Sequence, residues 1–81
     1  MRPSEVRRLA EVFGVEALGA AAEAIEAGEP LPIEVAGDDE GEQLTHLMLA
    51  QELRAAVDAG AEPRAAFRAV MQRVRGVLEN G

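Results

Sequence analysis

An all-α fold, a small domain of three to four short helices, is what this 81-residue chain predicts. Three observations carry that expectation. Large apolar residues recur at spacings of three and four in two long stretches, 44–57 and 67–78. Pro30, Pro32, Pro63 and the glycines at 28 and 60 fall between the periodic stretches, where helices start and stop. Alanine accounts for 16 residues and aromatics only for Phe13 and Phe67, a composition suited to closely approaching helices. Residues 1–81 are expected to form a single domain.

The first segment reads as helix. Ser4 is a plausible N-cap, and Val6, Leu9, Val12 and Phe13 form an apolar edge. Gly14 interrupts it, at a cost of about 1 kcal/mol if it lies mid-helix. The pattern resumes with Leu18, Ala21, Ala22 and Ile25 and ends near Gly28 and Pro30. One helix with a weak point and two helices with a turn both satisfy residues 4–27.

A short extended linker follows at about 29–37. Pro30 and Pro32 exclude regular helix, and Leu31, Ile33 and Val35 alternate with polar or small residues. Such an arm needs a partner, either its own helices or its symmetry mate in a dimer.

The next helix starts at Asp38 or Asp39. With Asp39 as cap, Glu42 falls at the third position of a capping box, and the acids of the first turn suit the helix dipole. It runs to Ala59, with Gly60 just beyond its end. Leu44, Leu47 and Met48 cluster on one side of it, and Leu49, Leu53, Ala56 and Val57 on nearly the opposite side. A helix apolar on two sides is expected between two neighbours, one of them in another copy of the chain.

Pro63 opens the last helix, and Phe67, Val70, Met71, Val74, Val77 and Leu78 make an unbroken stripe. The tight connection at Gly60–Glu62 predicts an antiparallel hairpin at the C-terminus.

The net charge of −7 disfavours nucleic acid and anionic lipid. Its distribution is uneven. Glu29, Glu34, Asp38, Asp39, Glu40 and Glu42 occur in residues 28–42 without a base, while four arginines follow Pro63. All eight basic residues are arginine, and asparagine occurs once, a usage consistent with a GC-rich genome or a thermophilic source. Cysteine is absent, which excludes disulfides and thiolate chemistry. No apolar run approaches the ~18 residues that span a membrane, and the expected location is the cytoplasm. A thin, alanine-rich core in a chain of this size favours self-association, most simply a homodimer. Leu44, Leu47, Met48, Leu49, Leu53, Val57, Phe67, Val70, Met71 and Val74 are the candidate oligomer interface.

Three motifs invite chemical readings. A helix-turn-helix over Leu9–Glu23 fails because its would-be recognition helix, Glu16 to Glu23, offers no base-reading side chain. Asp38, Asp39, Glu40, Glu42 and His46 could share a metal ion, but capping explains the aspartates, and a lone histidine on a helix is usually an ordinary surface or interface residue. No metal or cofactor is expected. Arg64, Arg68 and Arg75 line one flank of the last helix and are the candidate contact for an anion or partner, unless they pair with the chain's own acids. No nucleophile–base pair and no phosphate loop can be drawn, so catalysis is not expected.

Glu42-Gln43-Leu44-Thr45-His46-Leu47-Met48, then Ala59-Gly60, then Ala66 to Gly76 with its Phe-x-x-x-x-x-Arg-Val-x-Gly pattern, resemble a family of small uncharacterised helical bacterial proteins, mainly over residues 42–76. The resemblance implies a helix–glycine–helix fold and no site. The expected function is therefore a non-enzymatic, homo-oligomeric protein–protein interaction module. A transcription-linked regulator using Arg2, Arg7 and Arg8 on DNA, or binding polymerase through an acidic face, is one alternative. A metal- or small-ligand-binding bundle is the other.

Overall fold

Pro3, with no N–H to leave unpaired, opens the first of four helices. These are α1 (Pro3–Val12), α2 (Val15–Glu26), α3 (Glu40–Asp58) and α4 (Pro63–Asn80). The structure, a computed structural model, describes the backbone of residues 1–80 and the side chains of residues 1–76. The expected stripe members Val77 and Leu78 lie outside the described side chains.

Arg2, not Ser4, holds the N-cap position of α1, and Ser4 lies inside the helix. The proline's fixed backbone sets the start one residue before the expected cap. The open question at Gly14 resolves into two helices. Phe13 and Gly14 are both extended, and the carbonyl of Gly14 accepts the N–H of Leu18 to begin α2.

The linker contains no strand among the described residues, but its alternation is real. Val35 is buried, and Leu31 and Ile33 pack half-buried against the core. Side chains of the same chain meet part of its backbone. Gln43 donates to the Val35 carbonyl, and Glu5 accepts the N–H of Ala36 at 2.8 Å. Gly37 allows this close approach, since a Cβ there would lie 2.9 Å from the Gln43 backbone nitrogen.

Asp39 caps α3 by accepting the Glu42 N–H at 2.8 Å. The return bond of the expected box goes one residue further back, from the N–H of Asp38 to Glu42. Gly60 has φ of 108°, a conformation costly for residues with a Cβ, and lets α4 turn back onto α3.

α3 packs against all three other helices. Its two apolar flanks are the edges of one broad buried face. At about 100° per residue, Gln43, Ala50 and Arg54 fall between the flanks, and His46 falls between Leu53 and Val57. His46 and Ala50 are fully buried. The polar members of this column hold backbone that the connections leave unpaired. Besides Gln43 on Val35, His46 faces the Ala36 carbonyl at 2.8 Å, and Arg54 donates to Ala10 at 3.0 Å and Phe13 at 3.2 Å.

This corrects the basis of the expected oligomer interface. Leu47, Leu53 and Val70 are buried in their own chain, at 0, 4 and 6% exposure, and cannot meet a second copy. Leu44, Leu49, Val57, Phe67 and Met71 are half-buried against the same core, and Val74 is half-buried on α4. Of the ten, only Met48 is openly exposed, at 57%.

Candidate functional site

α4 presents two faces. Ala66 and Val70 enter the core, while Phe67 and Met71 lie about 100° further round, with Arg64, Arg68 and Arg75 beyond them. The second face does not close onto the body of the molecule. It forms one wall of an open groove of about 950 Å³. The opposite wall comes from Arg7, Ala10 and Glu11 of α1, and the base from Leu53, Arg54, Val57 and Asp58 of α3. Leu53, Val57, Phe67 and Met71 give the groove an apolar floor.

The guanidinium of Arg7 lies 4.4 Å from the centre of the Phe67 ring, close enough for a cation–π contact between α1 and α4. Arg54 has a structural task at the base. It caps the end of α1 through the carbonyls of Ala10 and Phe13 and pairs with Asp58 at 2.9 Å.

The eight arginines divide cleanly. Arg2 pairs with Asp38 at 2.7 Å and Arg8 with Glu5 at 2.8 Å; Arg54 pairs with Asp58 and Arg73 with Glu52. Among the described residues, Arg7, Arg64, Arg68 and Arg75 meet no carboxylate within 4.0 Å, and all four line the groove. The three arginines expected on one flank of the last helix do come together. Their expected pairing with the acids of residues 28–42 is not found among the described residues. Arg2 takes Asp38 and also approaches Glu42, at 3.8 Å. Arg7 was outside the expected contact set. Its neighbours go elsewhere: Arg8 pairs with Glu5 three residues before it, a spacing visible in the sequence, and Arg2 with Asp38, 36 residues on, which is not.

His46 is not the surface or interface residue that a lone helical histidine suggests. It is fully buried, and its Nε2 accepts the backbone N–H of Arg2 at 2.9 Å. Nδ1 faces a carbonyl, which can only accept, so the ring is the neutral Nδ1–H tautomer. Both ring nitrogens are thus occupied, and a metal could use His46 only by displacing backbone. Nor do Asp38, Asp39, Glu40, Glu42 and His46 gather into a ligand set, and no metal-binding cluster occurs among the described residues. Nearby, the Arg8 guanidinium holds the Glu5 carboxyl below its ordinary range, against the opposing effect of burial and with help from the Ala36 N–H.

Among the described residues, no helix is long and apolar enough to cross a membrane. No curated protein and no solved structure matches the chain. The model of a family of unknown function, DUF6952, matches residues 1–79, taking in α1, α2 and the linker as well as the 42–76 stretch, and the chain belongs to that family.

Proposed function

We propose that this protein is a non-enzymatic interaction module that receives a partner molecule in the groove between α1, α3 and α4. One observation carries the reading. On a chain of net charge −7, the four arginines without a described carboxylate partner all border a single apolar trough. Guanidinium groups stay protonated and neither attack nor shuttle protons, so the lining is suited to holding an anionic group rather than transforming it. The net positive lining of the groove, on a chain of net charge −7, is the ground for favouring an anionic partner over a second copy. The regulator alternative is less favoured, because Arg2 and Arg8 are engaged by carboxylates of their own chain and Arg7 alone of that set is left.

Affinity capture from the native lysate tests the reading. The bait is wild-type chain beside the R64E/R68E variant, each checked for helicity and melting temperature. A partner retained by wild type and lost from the folded variant is the expected result. Identical captured sets would overturn the reading.

A further inference from the structure

Resting on that reading, we infer that the occupant of the groove is an acidic amphipathic helix of a partner protein. Charge complementarity makes the first part of the case. Arg64 and Arg68 are one helical turn apart, and Arg75 two turns further on, so α4 carries a row of cations about 16 Å long. Arg7 adds a cation on the opposite wall. A segment with carboxylates on both flanks and an apolar stripe between them matches cationic walls above an apolar floor.

The groove also selects the conformation of that segment. The described chain offers no sheet edge on which a strand could add. The walls supply donors through the arginines, but acceptors only through Glu11 and Asp58, and Asp58 is already engaged by Arg54. An extended backbone would leave its N–H groups unpaired there. A helix satisfies its own backbone and brings only side chains to the walls. Phe67 and Met71 on α4 are one turn apart, the period at which helix anchors recur, and half-buried Val57 of α3 joins them in the lining. The open form of the groove suits a macromolecular segment better than a small ligand, which normally has most of its surface enclosed. Glu11 and Asp58 bear on register. Asp58 is paired with Arg54, so Glu11 is the carboxylate that would repel an acid placed beside it, and the carboxylates of the segment must face the arginines instead.

A designed pair of peptides tests this. Each has about 18 residues, enough for four to five helical turns, with leucines at spacings of three and four. One carries glutamates on both flanks, and the other carries lysines at the same positions. Binding to the full chain is followed by fluorescence anisotropy, and the site is mapped by amide chemical shifts. The glutamate peptide should bind at least about tenfold more tightly than the lysine peptide at low salt, and high salt should erase most of that difference. Shift changes should centre on Arg7, Phe67 and Met71. R64E/R68E should reduce the affinity by about tenfold or more, while F67A should weaken both peptides.

Equal binding of the two peptides, or shift changes outside the groove, would overturn the inference. So would shifts at these residues caused by dodecanoate but not by the glutamate peptide, which would indicate a small anionic amphiphile. Sedimentation revealing a self-associated chain with a covered groove would do the same in favour of a second copy. If the peptide fails while R64E/R68E still loses a captured partner, the occupant is misassigned but the groove reading stands. If both fail, the groove reading falls as well.

Discussion

The guanidinium of Arg7 sits over the ring of Phe67, 4.4 Å from its centre, and joins the first helix to the last across the groove. Exposed cation–π pairs contribute about 0.5–1 kcal/mol. A double-mutant cycle with Arg7→Met and Phe67→Leu should therefore give a coupling of about 0.5–1 kcal/mol in urea melts. A coupling near zero would show that the stacked geometry contributes nothing beyond apolar contact.

His46 should be among the costly polar substitutions in the chain. His46→Phe keeps a ring but leaves the Arg2 N–H and the Ala36 carbonyl facing an apolar side chain. With about 1–3 kcal/mol for each buried group left unpaired, the total loss should be about 2–4 kcal/mol, the Arg2 group being open to some rescue by water. His46→Gln, which can still donate and accept, should lose less. Equal losses from the two variants would mean that packing, not hydrogen bonding, decides this position.

Acid should weaken the fold through carboxylates held below their ordinary value. Glu5 is lowered by Arg8, Glu42 chiefly by the Asp38 N–H, and Glu52 by Arg73. A carboxylate with a depressed folded-state pKa stabilises the native chain above its unfolded value. That contribution is lost as pH falls through the folded value. Stability should thus hold from neutrality to about 5 and decline as pH drops below 4.5, the ordinary value for Glu5. Glu5→Gln should be less stable at pH 7 and should show a shallower decline in acid, because one of the three groups no longer titrates. An unchanged slope would exclude Glu5 from the acid response.

Leu47 and Met48 are adjacent and should behave oppositely. Leu47 has no exposed surface, and Leu47→Ala should cost about 2–5 kcal/mol. Met48 is 57% exposed, and Met48→Ser should fall within about 0.5 kcal/mol of wild type. Sedimentation of Met48→Ser separates the two uses of α3. A change in apparent mass relative to wild type would restore a self-pairing role to this flank.

Much of the architecture was legible before any coordinates. The apolar period, Pro63 and the glycines at 28 and 60 bounded the later helices to within a few residues, because backbone hydrogen bonding and side-chain period are local properties, while the break at Gly14 stayed open. Asp39 was legible as a cap for the same reason. The width of the buried face on α3 was not. Gln43 and Arg54 read as polar gaps between two greasy flanks, and His46 as a polar gap within one of them. In the folded chain all three belong to one face, filled by hydrogen bonds to distant backbone.

The candidate site divides along the same line. Arg64, Arg68 and Arg75 share a flank by helical period alone. That Arg7 joins them across an apolar floor, while Arg2 turns to a carboxylate elsewhere, depends on how α1 crosses the molecule. Sequence by itself determined the helical periods, the ends at Asp39, Gly60 and Pro63 and the one-sided last helix, all of which follow from interactions within a turn or two. Tertiary structure decided how His46 is buried and, among the described residues, how Arg2, Arg54 and Arg73 are engaged, because their partners include groups 21 to 44 residues away in the chain.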